Sequence, residues 1–158
     1  MTKLIVLLRH AEEPADDLHS ADLSKAGRRR ADKLAKYVVE TFGHPGFLFA
    51  VEPDGSSVRA YLTLRPLADA TRLVIDGTYK SREFAQLGGK LLHDPRFDNA
   101  VVVVAWKHTE LPSLASALGA PRSSFPEQWK EDVYDLCYAF SWSKARRQPK
   151  VRRIRQPF

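Results

Sequence analysis

The chain has 158 residues, of which 44% are hydrophobic and 28% charged; that length suits one domain and excludes two, and the composition is too apolar for a disordered chain. Its 25 Lys and Arg against 19 Asp and Glu give a net charge of +6, which directs attention to polyanionic partners such as nucleic acid, membrane phosphate or small phosphoesters. The single cysteine, Cys137, excludes an internal disulfide and a cysteine-based zinc site, so a reducing, cytoplasmic location is expected.

Residues 4–8 (LIVLL) form a continuous apolar run suited to a strand covered on both faces. The run is far shorter than the roughly 20 residues of a membrane span, and neither a signal peptide nor membrane insertion is expected. After an acidic loop, Ser24 caps a helix in which Ala31, Leu34, Ala35, Val38, Val39 and Phe42 recur at helical spacing, with Gly43 as its stop. Residues 47–51 read as a second strand, and EPDGSS at 52–57 is turn chemistry leading into a second helix over 57–70, which Pro66 should kink or restart. A third strand at 73–75 and a third helix over 81–92 follow, then VVVVAW at 101–106, the strongest core-strand signature in the chain. Thr109 caps the next helix, with Pro112 in its first turn and Gly119 at its end. Residues 133–140 read as a late strand and 151–155 as a weaker one. The alternation predicts an α/β fold: a three-layer α/β/α sandwich with a mostly parallel central sheet and helices on both faces. Residues 1–143 form the domain, and 144–158 are a basic C-terminal strand or tail of it.

In open α/β sheets the ligand crevice lies beyond the carboxyl ends of the strands. Arg9 and His10 follow the first strand there, and Lys107 and His108 follow the strand at 101–106. If those strands are neighbours, both imidazoles enter one crevice. The Arg9 fork can satisfy two oxygens of a phosphoryl group, and a neutral imidazole is a competent nucleophile towards phosphorus, a role open to His10 or His108.

Four segments then align with one family. LIVLLRHAEEP, LSKAGRRRADKLA, SVRAYLTLRPLA and VVVVAWKHTELPSLASALG together resemble the histidine phosphatase superfamily, the phosphoglycerate-mutase-like group. That group opens with Arg-His-Gly, carries a Leu-Ser/Thr-x-x-Gly-x-x-x-Ala segment on its first helix, and has a second arginine and a second histidine further on. FPEQWKEDVYDLCYAF looks like the closing strand of small members. The resemblance implies that His10 becomes phosphohistidine, while Arg9, Arg59 and His108 hold the phosphoryl oxygens; Arg65 is a rival to Arg59. It implies no metal and no other cofactor. Glu83, in TYKSREFAQL, stands about where many members carry the general acid, with Glu110 as the alternative; either can equally be a helix-dipole residue. The expected substrate is a phosphorylated small molecule or a phosphoprotein, met in a shallow, open pocket.

Two departures bear on activity. Ala11 replaces the motif's glycine, adding a methyl where the backbone would approach phosphate or adopt positive φ, and Lys107 adds charge beside the second histidine. They keep open a weak or inactive phosphate-binding module on the same fold. A third reading, nucleic-acid or anionic-surface binding, rests on KARRQPKVRRIRQPF at 144–158, with seven Lys or Arg and no acid. That segment accounts for the net charge, since residues 1–143 hold 18 basic against 19 acidic residues; it also reads as an edge strand guarded by charge. Trp129, Phe140 and Trp142 belong to the core by their apolar neighbours, and Arg28, Arg29 and Arg30 to the exposed face of the first helix.

Overall fold

In the computed structural model, which describes residues 3–158, the apolar runs become strands of one sheet. In chain order the elements are β1 (Leu4–Arg9), α1 (Lys25–Phe42), β2 (Phe47–Ala50), α2 (Arg59–Thr71), β3 (Ile75–Asp76), α3 (Phe84–His93), β4 (Val101–Trp106), α4 (Leu111–Ala117), β5 (Leu136–Ser141) and β6 (Lys150–Arg155). The sheet order is β3-β2-β4-β1-β5-β6. β1, β4, β2 and β3 are parallel, and β5 and β6 are added antiparallel to their neighbours. Right-handed crossovers from β1 to β2 to β3 place α1 and α2 on one face, and the return from β3 to β4 places α3 on the other. The helices accordingly pack in two pairs, α1 against α2 and α3 against α4. The result is the α/β sandwich with helices on both faces.

The core sits on the two strands with unbroken apolar sequence. Ile5, Val6, Leu7 and Leu8 of β1 and every residue of β4 are buried, as a strand covered on both faces requires. Phe140 and Trp129 are core residues, and Trp142 packs against the same cluster. α1 begins and ends where its sequence signals stand: the Ser24 hydroxyl accepts from the Gly27 amide, and Gly43 closes the helix at φ 92°. Gly27 has a second duty, because a Cβ there would lie 2.3 Å from the carbonyl oxygen of Glu12. Only glycine lets the first turn of α1 sit against the loop that leaves His10.

Several boundaries differ from expectation. Pro66 lies inside α2 without ending or restarting it. The cap of α4 is Glu110 rather than Thr109, whose hydroxyl instead donates to the Glu110 carboxylate. β3 shifts to two residues and α3 starts three residues later, since Glu83 is held as its cap residue. β5 starts at Leu136 and not at residue 133, because the carbonyl of Val133 is taken by side chains, as described below. β6 pairs along its whole length with β5 and forms the sheet edge, with Lys150, Arg152, Arg153 and Arg155 exposed. Arg28 and Arg29 are exposed, but Arg30 is not simply a surface residue. It donates to Glu12 at 2.8 Å, to Gln156 at 2.8 Å and to the Phe158 carbonyl at 2.7 Å, tying α1 to the C-terminal residues. No helix among the described residues is long and apolar enough to cross a membrane.

Candidate active site

β1 and β4 are adjacent and in register, Arg9 opposite Trp106. The two sequence segments that end in histidine therefore leave the sheet side by side, and the His10 amide donates to the Trp106 carbonyl at 3.2 Å. His10 is 3% exposed. Its Nδ1 lies 2.7 Å from the Ala11 carbonyl oxygen; a carbonyl can only accept, so Nδ1 carries the proton and Nε2 keeps its lone pair. Burial, reinforced by the charges of Arg9 and Arg59 and the proximity of His108, lowers the pKa of His10 from 6.5 to about 3. The imidazole is neutral at neutral pH. Burial and Arg9 lower the pKa of His108 as well, opposed by Glu131, Glu13 and Glu110.

Arg9 is 1% exposed. Its Nη1 donates to the carbonyls of Glu131 and, at 3.2 Å, of Val133; its Nη2 lies 3.3 Å from the Tyr134 hydroxyl, and its Cζ stands 3.9 Å from the Tyr134 ring centroid. Burial lowers its pKa, against the opposing influence of Tyr134, Glu13 and Glu131. Arg59, in the first turn of α2, donates to the Ser20 carbonyl at 2.7 Å and pairs with Glu13 at 3.3 Å. Among the described residues two buried side-chain polar atoms have no hydrogen-bond partner, Arg9 Nε and Arg59 Nε. Both belong to arginines that the sequence singled out. Arg65 is exposed on the same helix.

Thr63 joins these parts. Its hydroxyl accepts from the Ala11 amide at 2.8 Å and donates to the Arg59 carbonyl at 2.7 Å. Ala11 does not adopt positive φ, and it is buried with Leu23 and Ala31. The methyl that replaces the motif's glycine is thus packed without backbone strain. Lys107 is held 3.7 Å from Asp54, in the turn where the Asp54 carboxylate accepts from the Ser56 hydroxyl and from the amides of Ser56 and Ser57. Those bonds lower its pKa to about 2.

The two candidate acids are placed differently. Glu110 stands two residues beyond His108 and its charge acts on that imidazole. Glu83 turns its carboxylate back to the Lys80 amide at 2.9 Å, in a loop that Trp106 ties to β4 through Nε1 to the Ser81 carbonyl at 3.1 Å. Sequence reasoning missed Glu13, Tyr134 and the carbonyls of Glu131 and Val133. Tyr134 sat inside what read as a strand, whereas Thr63 was visible in SVRAYLT though given no role. Beside the site a cleft of about 750 Å³ opens, lined by Glu12, Glu13, Leu18, Glu131, Asp132 and Tyr134 among others. Among the described residues no cluster of three or more His, Cys, Asp or Glu side chains is arranged to hold a metal ion. The one thiol, Cys137, is buried, which raises its pKa to about 11.

No family model matches the chain, and no curated protein matches it either. Solved structures do match over nearly the whole length. A mycobacterial glucosyl-3-phosphoglycerate phosphatase superposes with a TM-score of 0.67 at 15% identity, covering 98% of each chain. The protein histidine phosphatase SixA, solved with tungstate, gives a TM-score of 0.68 at 14% identity over 96% of each chain. A phosphoglycerate mutase from Plasmodium falciparum gives 0.63 at 14% identity, covering 96% of this chain and 89% of that one.

Proposed function

We propose that this protein, whose fold is that of the histidine phosphatases, is a phosphatase that transfers the phosphoryl group of a substrate to His10 and then to water, with no metal cofactor. The observation that carries the reading is the pair of buried, unpartnered donors Arg9 Nε and Arg59 Nε. A buried donor left without a partner costs on the order of 1–3 kcal/mol, so such atoms are rare and call for a reason. An anion seated beside His10 satisfies both. The family resemblance, the neutral imidazole and the site's position beyond β1 and β4 support the same reading.

In this reading Nε2 of His10 attacks phosphorus in line with the leaving group, forming an N–P bond as the bond to the leaving oxygen or nitrogen breaks. Arg9, Arg59 and a neutral His108 donate to the three non-bridging oxygens as charge develops there. Glu110 gives a proton to the leaving group and then takes one from the water that attacks the phosphohistidine, releasing phosphate and free His10. We favour Glu110 over Glu83 in that role because its charge acts on His108. The open cleft beside the site supports a phosphoryl group carried on a protein side chain, including phosphohistidine, over a small ester that must be enclosed.

Hydrolysis of an aryl phosphate in excess chelator tests the proposal. Wild-type turnover with loss of at least a hundredfold in His10→Ala is expected. Full activity in that variant would contradict it, and tight binding of vanadate with no turnover by the wild type would establish the non-catalytic module instead.

A further inference from the structure

We infer that Tyr134 is a positioning residue, holding Arg9 at the angle from which it binds the phosphoryl group; the inference rests on the phosphatase reading and adds a residue to it. Arg9 is a buried cation, yet among the described residues no carboxylate lies within ion-pair distance of it. Among the described residues the groups that hydrogen-bond to its guanidinium or stack on it are neutral: the carbonyls of Glu131 and Val133, the Tyr134 hydroxyl, and the face of the Tyr134 ring. A carboxylate in that place would neutralise the charge that a phosphoryl group needs. Carbonyl dipoles and an aromatic face hold the cation and leave its charge unspent.

The hold is itself built on the core. Trp129 is buried, packs against Tyr138 and Phe125, and donates from Nε1 to the Val133 carbonyl at 2.9 Å, the same oxygen that accepts from Arg9. Residues 131–134 are thereby fixed as a strap across one edge of the guanidinium, engaging Nη1 and Nη2. The buried Nε is the donor left over. The strap thus selects which edge of Arg9 remains for an anion, and Tyr134 contributes both a hydrogen bond and a stacking face to that choice.

Tyr134→Phe, Tyr134→Trp and Tyr134→Leu separate the two contributions. KM and kcat for an aryl phosphate, and the inhibition constant of inorganic phosphate, are measured on each, with thermal midpoints as a control for folding. Tyr134→Leu, which lacks the aromatic face, is expected to raise KM and the phosphate inhibition constant roughly tenfold while changing kcat less. Tyr134→Phe should raise them about threefold, and Tyr134→Trp should stay close to Phe. Three variants indistinguishable from wild type in both constants overturn the inference, as does tighter phosphate binding by Tyr134→Leu, which makes the ring a cover over the site rather than a support. A wild type that neither turns over the ester nor binds phosphate overturns the phosphatase reading first, and this inference with it.

Discussion

The Ala11 amide donates to the buried Thr63 hydroxyl at 2.8 Å, and that hydroxyl in turn donates to the Arg59 carbonyl at 2.7 Å. The strand end that carries His10 is in this way bonded to the helix turn that carries Arg59. Thr63→Val keeps the shape and removes both bonds, leaving the Ala11 amide buried and unpaired. The expected loss is about 1–3 kcal/mol of stability, read as a lower denaturant midpoint, together with weaker phosphate binding. Thr63→Ser should restore most of both, and an unchanged midpoint in Thr63→Val would show that the hydroxyl does not couple the two segments.

Gly27 makes a second, independent point about the loop after His10. Any Cβ at this position meets the Glu12 carbonyl at 2.3 Å, too close for contact, and the obstacle is backbone that already accepts from Ser24. Gly27→Ala should therefore destabilise the protein by about 1–3 kcal/mol, against the usual gain when alanine replaces a helical glycine. A stabilised Gly27→Ala would show that the loop yields easily.

His10 gives the clearest pH dependence. Its folded-state pKa is about 3, against 6.5 for an unhindered imidazole, so between those values the unfolded chain binds more protons than the folded one. Stability falls as the pH is lowered through that window. Imidazole NMR should show His10 neutral from pH 8 to pH 5, and His10→Gln should flatten the acid loss of stability. A His10 titration midpoint near 6.5 would contradict the burial that the structure assigns to it.

β6 supplies a prediction about solubility. It is the outer strand of the sheet, and Lys150, Arg152 and Arg153 stand exposed along it, the arrangement by which edge strands avoid pairing with other chains. Replacing these three by serine should promote self-association, read as a larger species in light scattering. A variant that scatters as the wild type does contradicts the guarding role, and salt-dependent retention of DNA by the wild type that the variant loses would favour the nucleic-acid reading instead.

Much of this was legible in the chain because the signals were local. LIVLL and VVVVAW declare buried strands, Ser24 and Gly43 bracket α1, and the two segments that end in His10 and His108 leave adjacent strands side by side. Legibility failed where a local pattern gave way to a distant partner. VYDLCYAF has strand composition throughout, but Arg9, more than a hundred residues earlier, captures the Val133 carbonyl and the Tyr134 ring and delays β5 to Leu136. Arg30 looked like part of a solvated run until Glu12 and the C-terminal residues closed around it. Net charge misled in the opposite way: it pointed to phosphate, yet all of it lies at the basic end of the chain, while the proposed site rests on one buried arginine, Arg9, and one half-buried arginine, Arg59.

The most direct measurement is to mix the protein with an excess of a reactive phosphoryl donor, quench in alkali, where phosphoramidates survive, and map the modified residue by mass spectrometry. A single phosphoryl group on the peptide containing His10, acid-labile and missing from His10→Ala, is the expected result. Turnover of the donor with no phosphorylated His10 peptide, or with the label on another residue, would contradict the account.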